Sequence, residues 1–208
     1  MIRKTKADSQ EIRENILEAA SLIFVEKGVA KASLEEIAQK AGVTRGAVYW
    51  HFKNKIDIFQ SLNDKLYQPF TNMILQDLEK DHPNPLKQLA DLCTNLLIDL
   101  EQNIQKKRIL TIFFLKCDYS GAMEEVLKKQ NKQKKESFGL LIHYFERAQQ
   151  KNYLTTKANP KILTLSLFCY LTGIAQEYIR NSACYNLKEQ VPIMMNHFFA
   201  GFNKNCDT

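Results

Sequence analysis

No run of hydrophobic residues in this chain is long enough to suggest a membrane span: the longest apolar stretch, residues 162–175, falls short of the roughly 20 residues a bilayer requires. A secretory signal is also missing, because the charged start runs straight into an amphipathic helix pattern. These absences lead to the expectation of a cytoplasmic protein with no membrane partner. The five cysteines (Cys93, Cys117, Cys169, Cys184, Cys206) are odd in number, widely separated and without a C-x-x-C pair. Neither a disulfide framework nor a zinc site follows, so the thiols are read as reduced; Cys117 and Cys184, near helix ends, are the pair to watch for redox sensing. The four histidines (His51, His82, His143, His197) have no carboxylate or cysteine partners at ligand spacing. No enzyme, metal or cofactor is therefore expected. A convincing strand pattern is missing too, and the fold class this implies is all-α.

What the chain does have is bulk and positive charge. Its 208 residues are 45% hydrophobic, ample for a packed core, and the net charge of +6 suits a polyanionic partner, although the excess is spread along the chain. Arg3, Lys4 and Lys6 form a basic arm ahead of the first helix, either a solvated tail or a source of phosphate and minor-groove contacts.

The most informative segment is SLEEIAQKAGVTRGAVYWHFKNK, residues 33–55. Ser33 precedes an apolar-periodic run (Leu34, Ile37, Ala38, Ala41) and Glu36 follows three residues later, which is the capping-box signature. The pattern predicts a helix over 34–40, a left-handed stop at Gly42, and a second helix over 45–51 capped by Thr44. Two helices joined by so tight a turn cross steeply, as a helix-turn-helix does, and the second member enters the major groove. Val48 and Phe52 lie four apart and face the core; Arg45, Gly46, Ala47, Tyr49, Trp50 and His51 are left outside. Exposed aromatics beside an arginine fit a DNA surface. Arg45 can bond base edges, small Gly46 and Ala47 permit close approach, and Tyr49 and His51 can reach phosphates. Lys53 follows, and Lys55 sits in the first turn of the next helix behind Asn54, where ammonium and backbone N–H groups could meet one phosphate.

The string T-R-G-A-V-Y-W-H-F-K-N-K resembles the TetR family of transcriptional regulators, in its AcrR-like branch of multidrug-efflux repressors. The likeness holds over residues 10–68 and is weaker but visible in FFLKCDYSGAMEEV and LTGIAQEYI. It implies a DNA-contacting set of Ser33, Thr44, Arg45, Gly46, Tyr49, Trp50, His51, Lys53 and Lys55, with Arg45, Ala47 and Tyr49 as the base-facing choices.

Beyond this block, helix follows helix. Ile12, Ile16, Ala19, Ala20, Ile23 and Phe24 stripe a first helix that stops at Gly28. A fourth runs from about 55 to 78 with Pro69 inside it, predicting a kink over 65–69. Asn84 and Pro85 open a helix patterned on Leu86, Leu89 and Cys93; shorter and longer ones follow over 107–116 and from the Ser120–Gly121 turn to about 150. The helix over 160–180 is apolar nearly all round, and 187–202 carries Val191, Met194, Met195, Phe198 and Phe199. Surplus apolar faces call for a second copy of the chain, and Leu167, Leu171, Tyr178, Met194 and Phe198 are the expected dimerisation residues. The resulting plan has nine helices: residues 1–54 as a helix-turn-helix domain and 55–208 as a ligand-binding and dimerisation domain.

Aromatic stripes are usually core, but the resemblance implies a roomy drug or metabolite cavity. The expected ligand residues are Asn63, Tyr67, Phe70, Phe113, Phe114, Phe138, Phe168 and Gln176. The function expected is a homodimeric repressor that holds a palindromic operator in double-stranded DNA and is released by an apolar or aromatic small-molecule inducer. The rival readings are a helical carrier or sensor without DNA binding, which leaves the exposed YWH cluster unexplained, and a regulator of metabolic genes.

Overall fold

The computed structural model describes residues 6–155 and 157–201. The basic arm at Arg3, Lys4 and the Lys6 side chain, and Cys206, lie outside what it describes. Among the described residues the chain is all-α: α1 (Lys6–Lys27), α2 (Leu34–Ala41), α3 (Arg45–His51), α4 (Lys55–Glu79), α5 (Pro85–Gln102), α6 (Ile104–Leu115), α7 (Glu124–Gln150), α8 (Pro160–Arg180) and α9 (Leu187–Ala200), with two short 3-10 turns.

Helix ends are set by the side chains at the boundaries. Asn84 accepts from the Lys87 amide at 3.0 Å with Pro85 in the first helical turn of α5. Asn159 accepts from Lys161 and Ile162, and Asn186 from Glu189, at the starts of α8 and α9. Each cap satisfies an amide that has no partner inside the helix. Gly28 ends α1 at φ 79, a left-handed conformation that only glycine adopts without cost.

The described residues separate into two compact units. The first holds the residues up to Tyr67 together with Arg108–Gln130. Its core is the stripe of α1 (Ile16, Leu17, Ala20, Phe24), with Ile37 of α2, Val48 of α3, and Ile58, Phe59 and Leu62 of α4. Ile109, Ile112 and Phe113 of α6 complete it, joined by Met123 and Val126. Phe59 sits at the centre, fully buried, with ring centroids 6.5 Å from Phe24, 5.0 Å from Phe113 and 6.3 Å from Tyr119. The helices α1 to α4 do not enclose these rings by themselves, so the later segment adds a further wall.

The second unit comprises Gln68–Lys107 and the described residues from Asn131 onward. Leu86, Leu89, Cys93 and Leu97 of α5 are buried along with Leu167 and Leu171 of α8 and Val191 and Met195 of α9. Tyr144 of α7 is fully buried and donates to Asp77 Oδ2 at 2.9 Å; burial, and then that carboxylate, hold its phenol far above the usual range. Pro69 lies inside α4, and the division between units falls at Tyr67/Gln68, two residues ahead of it.

The apolar stretch expected to be too short for a bilayer belongs to a longer helix. With 21 residues, α8 is long and apolar enough, by length and composition, to cross a membrane, with 39% of its apolar window buried. The mostly apolar stretch ends at Ala175, whereas the helix continues to Arg180. A core helix passes the same test, and Leu167, Leu171, Ala175, Tyr178 and Ile179 of α8 are buried within the second unit.

Candidate nucleic-acid interface

The interface begins at the start of α2. Ser33, in extended backbone, accepts from the Glu36 amide at 3.2 Å while the Glu36 carboxylate accepts from the Ser33 amide at 3.0 Å. Both halves of the capping box are therefore made. Lys27 at the end of α1 pairs with the same carboxylate. That pairing, and then the bonds from Ser33, pull the Glu36 carboxyl down to about 2. A depressed folded-state value means this contribution is complete above the unfolded carboxyl range, near 4.5, and is lost as pH falls from there towards 2. The urea midpoint should drop between pH 5 and pH 3, and a Glu36→Gln variant should lose that part of the drop. Removing the hydroxyl with Ser33→Ala should cost about 1 kcal/mol in urea unfolding.

The turn is three residues long. Gly42 takes φ 65, its amide reaching back to Ala38 and Gln39, and the Val43 amide donates to the Ala38 carbonyl at 3.0 Å. This paired closure stops α2 cleanly. Thr44 then accepts from the Ala47 amide at 3.1 Å and starts α3.

Along α3 the side chains sort by helical phase. Val48 is fully buried and Phe52 nearly so, under the Arg13 guanidinium, which stands 5.1 Å from its ring. On the opposite side Tyr49 is 48% and Trp50 73% exposed. Arg45, Gly46, Thr44, Ser33 and Lys53 are exposed, and Ala47, His51 and Lys55 half-buried. The Arg45 guanidinium lies 3.3 Å from the Tyr49 hydroxyl and 3.4 Å from Glu35 Oε2. Its position on the outer face is thus set before any partner arrives. Trp50 and His51 meet edge-on at 4.5 Å, and with Ala47, Ser9 and Ile12 they line a half-open cleft of about 320 Å3 between α1 and α3.

Two lysines flank this face in different ways. Lys53 is exposed, its amide donating to Asp57 Oδ2 at 3.1 Å, while the Asp57 amide donates to Asn54 Oδ1 at 2.9 Å at the start of α4. The Lys55 ammonium donates to the carbonyls of Ala30 and Ala32, at 2.5 and 3.1 Å, tying the α1–α2 connection to α4.

The residues expected to bind a ligand fall into both units. In the first, Asn63 is buried and accepts from Gln130 at 2.9 Å, Phe113 packs on Phe59, and Tyr67 and Phe114 are half-buried. In the second, Phe138 and Phe168 meet at 5.1 Å, and Phe70 and Gln176 are half-buried. Of the expected dimerisation residues, Leu167, Leu171 and Tyr178 are buried within the second unit, and Met194 and Phe198 are half-buried, the latter stacked on Tyr170 at 5.1 Å.

Several residues on these surfaces escaped sequence reasoning. Ile162, Leu165, Cys169 and Gly173 make an exposed stripe along α8, and Ile193 is exposed on α9. In a helix apolar nearly all round, their spacing of three, four and four residues does not by itself mark an outer face. Ser9, Ile12 and Glu35, which frame α3, had no local signal either. The thiols differ sharply: Cys169 and Cys184 are exposed, whereas burial pushes Cys93 up to about 12 and Cys117 up to about 11, which disfavours the reactive thiolate at both.

Comparison with known proteins matches this architecture along most of the chain. The pattern for bacterial regulatory proteins of the tetR family matches residues 16–62, and that for the C-terminal region of MAATS-type transcriptional repressors matches 84–203. The HTH-type transcriptional repressor BepR of Brucella suis biovar 1 (strain 1330) is 33% identical over 89% of this chain and 89% of its own. The crystal structure of NalD, the secondary repressor of the MexAB-OprM multidrug efflux pump in Pseudomonas aeruginosa, superposes with a TM-score of 0.84 at 31% identity, covering 96% of this chain and 100% of that one. SmeT, the repressor of the Stenotrophomonas maltophilia multidrug efflux pump SmeDEF, superposes in its triclosan complex with a TM-score of 0.83 at 27% identity, over 95% of this chain and 94% of the other.

Proposed function

The chain belongs to the tetR family of bacterial regulatory proteins, as a DNA-binding transcriptional repressor, and from that premise we propose that it is a cytoplasmic homodimer controlling a multidrug efflux pump operon. It holds a palindromic operator and leaves it when an apolar or aromatic small molecule occupies the second unit. The observation that carries the DNA reading is the division of α3: Val48 and Phe52 anchor it, and Tyr49 and Trp50 stand out into solvent beside Arg45. A single recognition helix reads only a few base pairs. Two copies set about 34–36 Å apart read an inverted repeat in successive major grooves.

The exposed stripe Ile162, Leu165, Cys169 and Gly173 supports a second copy as the partner, since a lone chain would leave these apolar groups in water. Efflux control follows from the likeness to BepR, NalD and SmeT, and the triclosan bound to SmeT supports an aromatic inducer. Release requires the ligand to favour the off-DNA conformation by about 1–3 kcal/mol, which weakens DNA affinity roughly 5- to 150-fold. With Pro69 depriving α4 of one backbone donor beside the unit boundary, that helix is the segment proposed to carry the change.

The test is a gel shift with duplexes tiled from the DNA flanking the gene. One fragment with an inverted repeat should bind, with affinity falling steeply, on the order of 1000-fold or more, between 50 and 200 mM salt. Retention of no fragment at low salt, or retention indifferent to salt, would overturn the DNA reading. Light scattering should return a dimer, and a monomer at micromolar concentration would remove the second-copy assignment.

A further inference from the structure

We infer that the second unit selects aromatic ligands bearing an acidic group, with Lys134 of α7 as the recognising cation. This rests on the inducer-binding reading above and gives it a chemical class.

Phe138 of α7 and Phe168 of α8 meet at 5.1 Å with their planes tilted by 55°. The Lys134 ammonium stands 4.0 Å from the Phe168 ring centroid and 5.8 Å from that of Phe138. Lys134 is half-buried, and among the described residues no carboxylate forms an ion pair with it. On the same helix Lys128 pairs with Glu125 and Lys129 with Asp64, and what separates Lys134 from the exposed Lys132 and Lys135 is its half-buried seat on the two rings. One turn further along α7, buried Ser137 shares a stretched 3.4 Å contact with the Thr71 hydroxyl of α4. A cation resting on ring faces, with a weakly engaged hydroxyl pair nearby, leaves an anion's place open in a mostly apolar setting.

The charge decides between ligand classes. An organic cation seeking the Phe138–Phe168 pair meets a like charge already seated there, which no carboxylate among the described residues pairs with. A neutral ring gains only stacking. An aromatic carboxylate or phenolate gains both, its ring against Phe168 and its oxygen accepting from Lys134 in a charge-assisted hydrogen bond.

The experiment is calorimetric titration of the full-length protein with three probes of one shape: 2-naphthoate, neutral 2-naphthamide and 2-naphthylmethylammonium. Naphthoate should bind about tenfold tighter than the amide, and the ammonium weakest. Lys134→Met keeps the apolar stem and should erase the naphthoate preference while leaving amide affinity within about twofold; Lys134→Arg should retain it. Tightest binding by the ammonium, a preference that survives Lys134→Met, or no binding of any probe at millimolar concentration would overturn the inference. A gel shift without probe separates the two readings. Normal operator retention alongside any of those failures sinks only the ligand class, and lost retention sinks the regulator itself.

Discussion

Tyr49→Ala is expected to abolish operator retention at physiological salt while leaving the protein folded. Tyr49 is nearly half exposed and its hydroxyl meets the Arg45 guanidinium, itself on the surface, so truncation opens no cavity in the core of the first unit. On the proposed reading it removes a groove-facing contact, and with it the ring that lies 5.5 Å from the Arg45 guanidinium carbon and steadies that side chain. One such contact is worth about 1–3 kcal/mol, and a palindrome counts it twice, giving on the order of 100-fold weaker binding or more. Fluorescence anisotropy on the operator measures the loss, and thermal melting checks the fold. Unchanged affinity with an unchanged melt would remove Tyr49 from the interface.

Phe59→Ala should produce the largest loss of stability. Its ring is fully buried between α1, α6 and the residues before α7, touching Phe24, Phe113 and Tyr119. Excision of a phenyl group from such a site costs about 3–5 kcal/mol through lost transfer energy and the cavity left behind. Domains carry only about 5–15 kcal/mol in all, so the first unit should unfold at markedly lower urea and operator binding should fail with it. Phe59→Leu, which keeps most of the volume, should lose far less. A cost below about 1 kcal/mol for the alanine variant would mean the core relaxes around the gap and that Phe59 is not its centre.

The legibility of the chain followed the range of the forces involved. Elements with boundaries set by neighbours in sequence could be read directly: Ser33 with Glu36, Gly42 and Thr44 placed α2 and α3, and Asn84–Pro85 placed the start of α5. The start of α6 was expected near 107 and lies at Ile104, because Ile104 is 72% exposed and adds nothing to a hydrophobic stripe, while the Asn103 cap that fixes it is a local polar bond. Outward-facing α3 was legible because Val48 and Phe52 lie four apart, a one-face spacing that leaves Arg45, Gly46, Ala47, Tyr49, Trp50 and His51 on the other side. In α8 nearly every position is apolar, so periodicity carries no phase, and only the three-dimensional neighbours show that Leu167 and Leu171 turn inward and Ile162 and Leu165 outward. The later wall of the first unit was hidden for a different reason. Arg108–Gln130 returns to α1 from far along the chain, a contact no local pattern announces.

The tie between Lys55 and the carbonyls of Ala30 and Ala32 has a consequence for how the protein meets its operator. An ammonium carries three donors, and two are committed here, which leaves the third for an acceptor arriving from outside. The long side chain has already surrendered its rotamer freedom in the unbound protein, so gripping a phosphate there adds little to the ordering cost of about 1.5–2 kcal/mol that exposed Lys53 must still meet. Acylation of the Lys55 nitrogen would therefore strike twice: it would cut the brace between the first connection and α4, and erase a positive charge that, like that of Arg45, is held in place in advance.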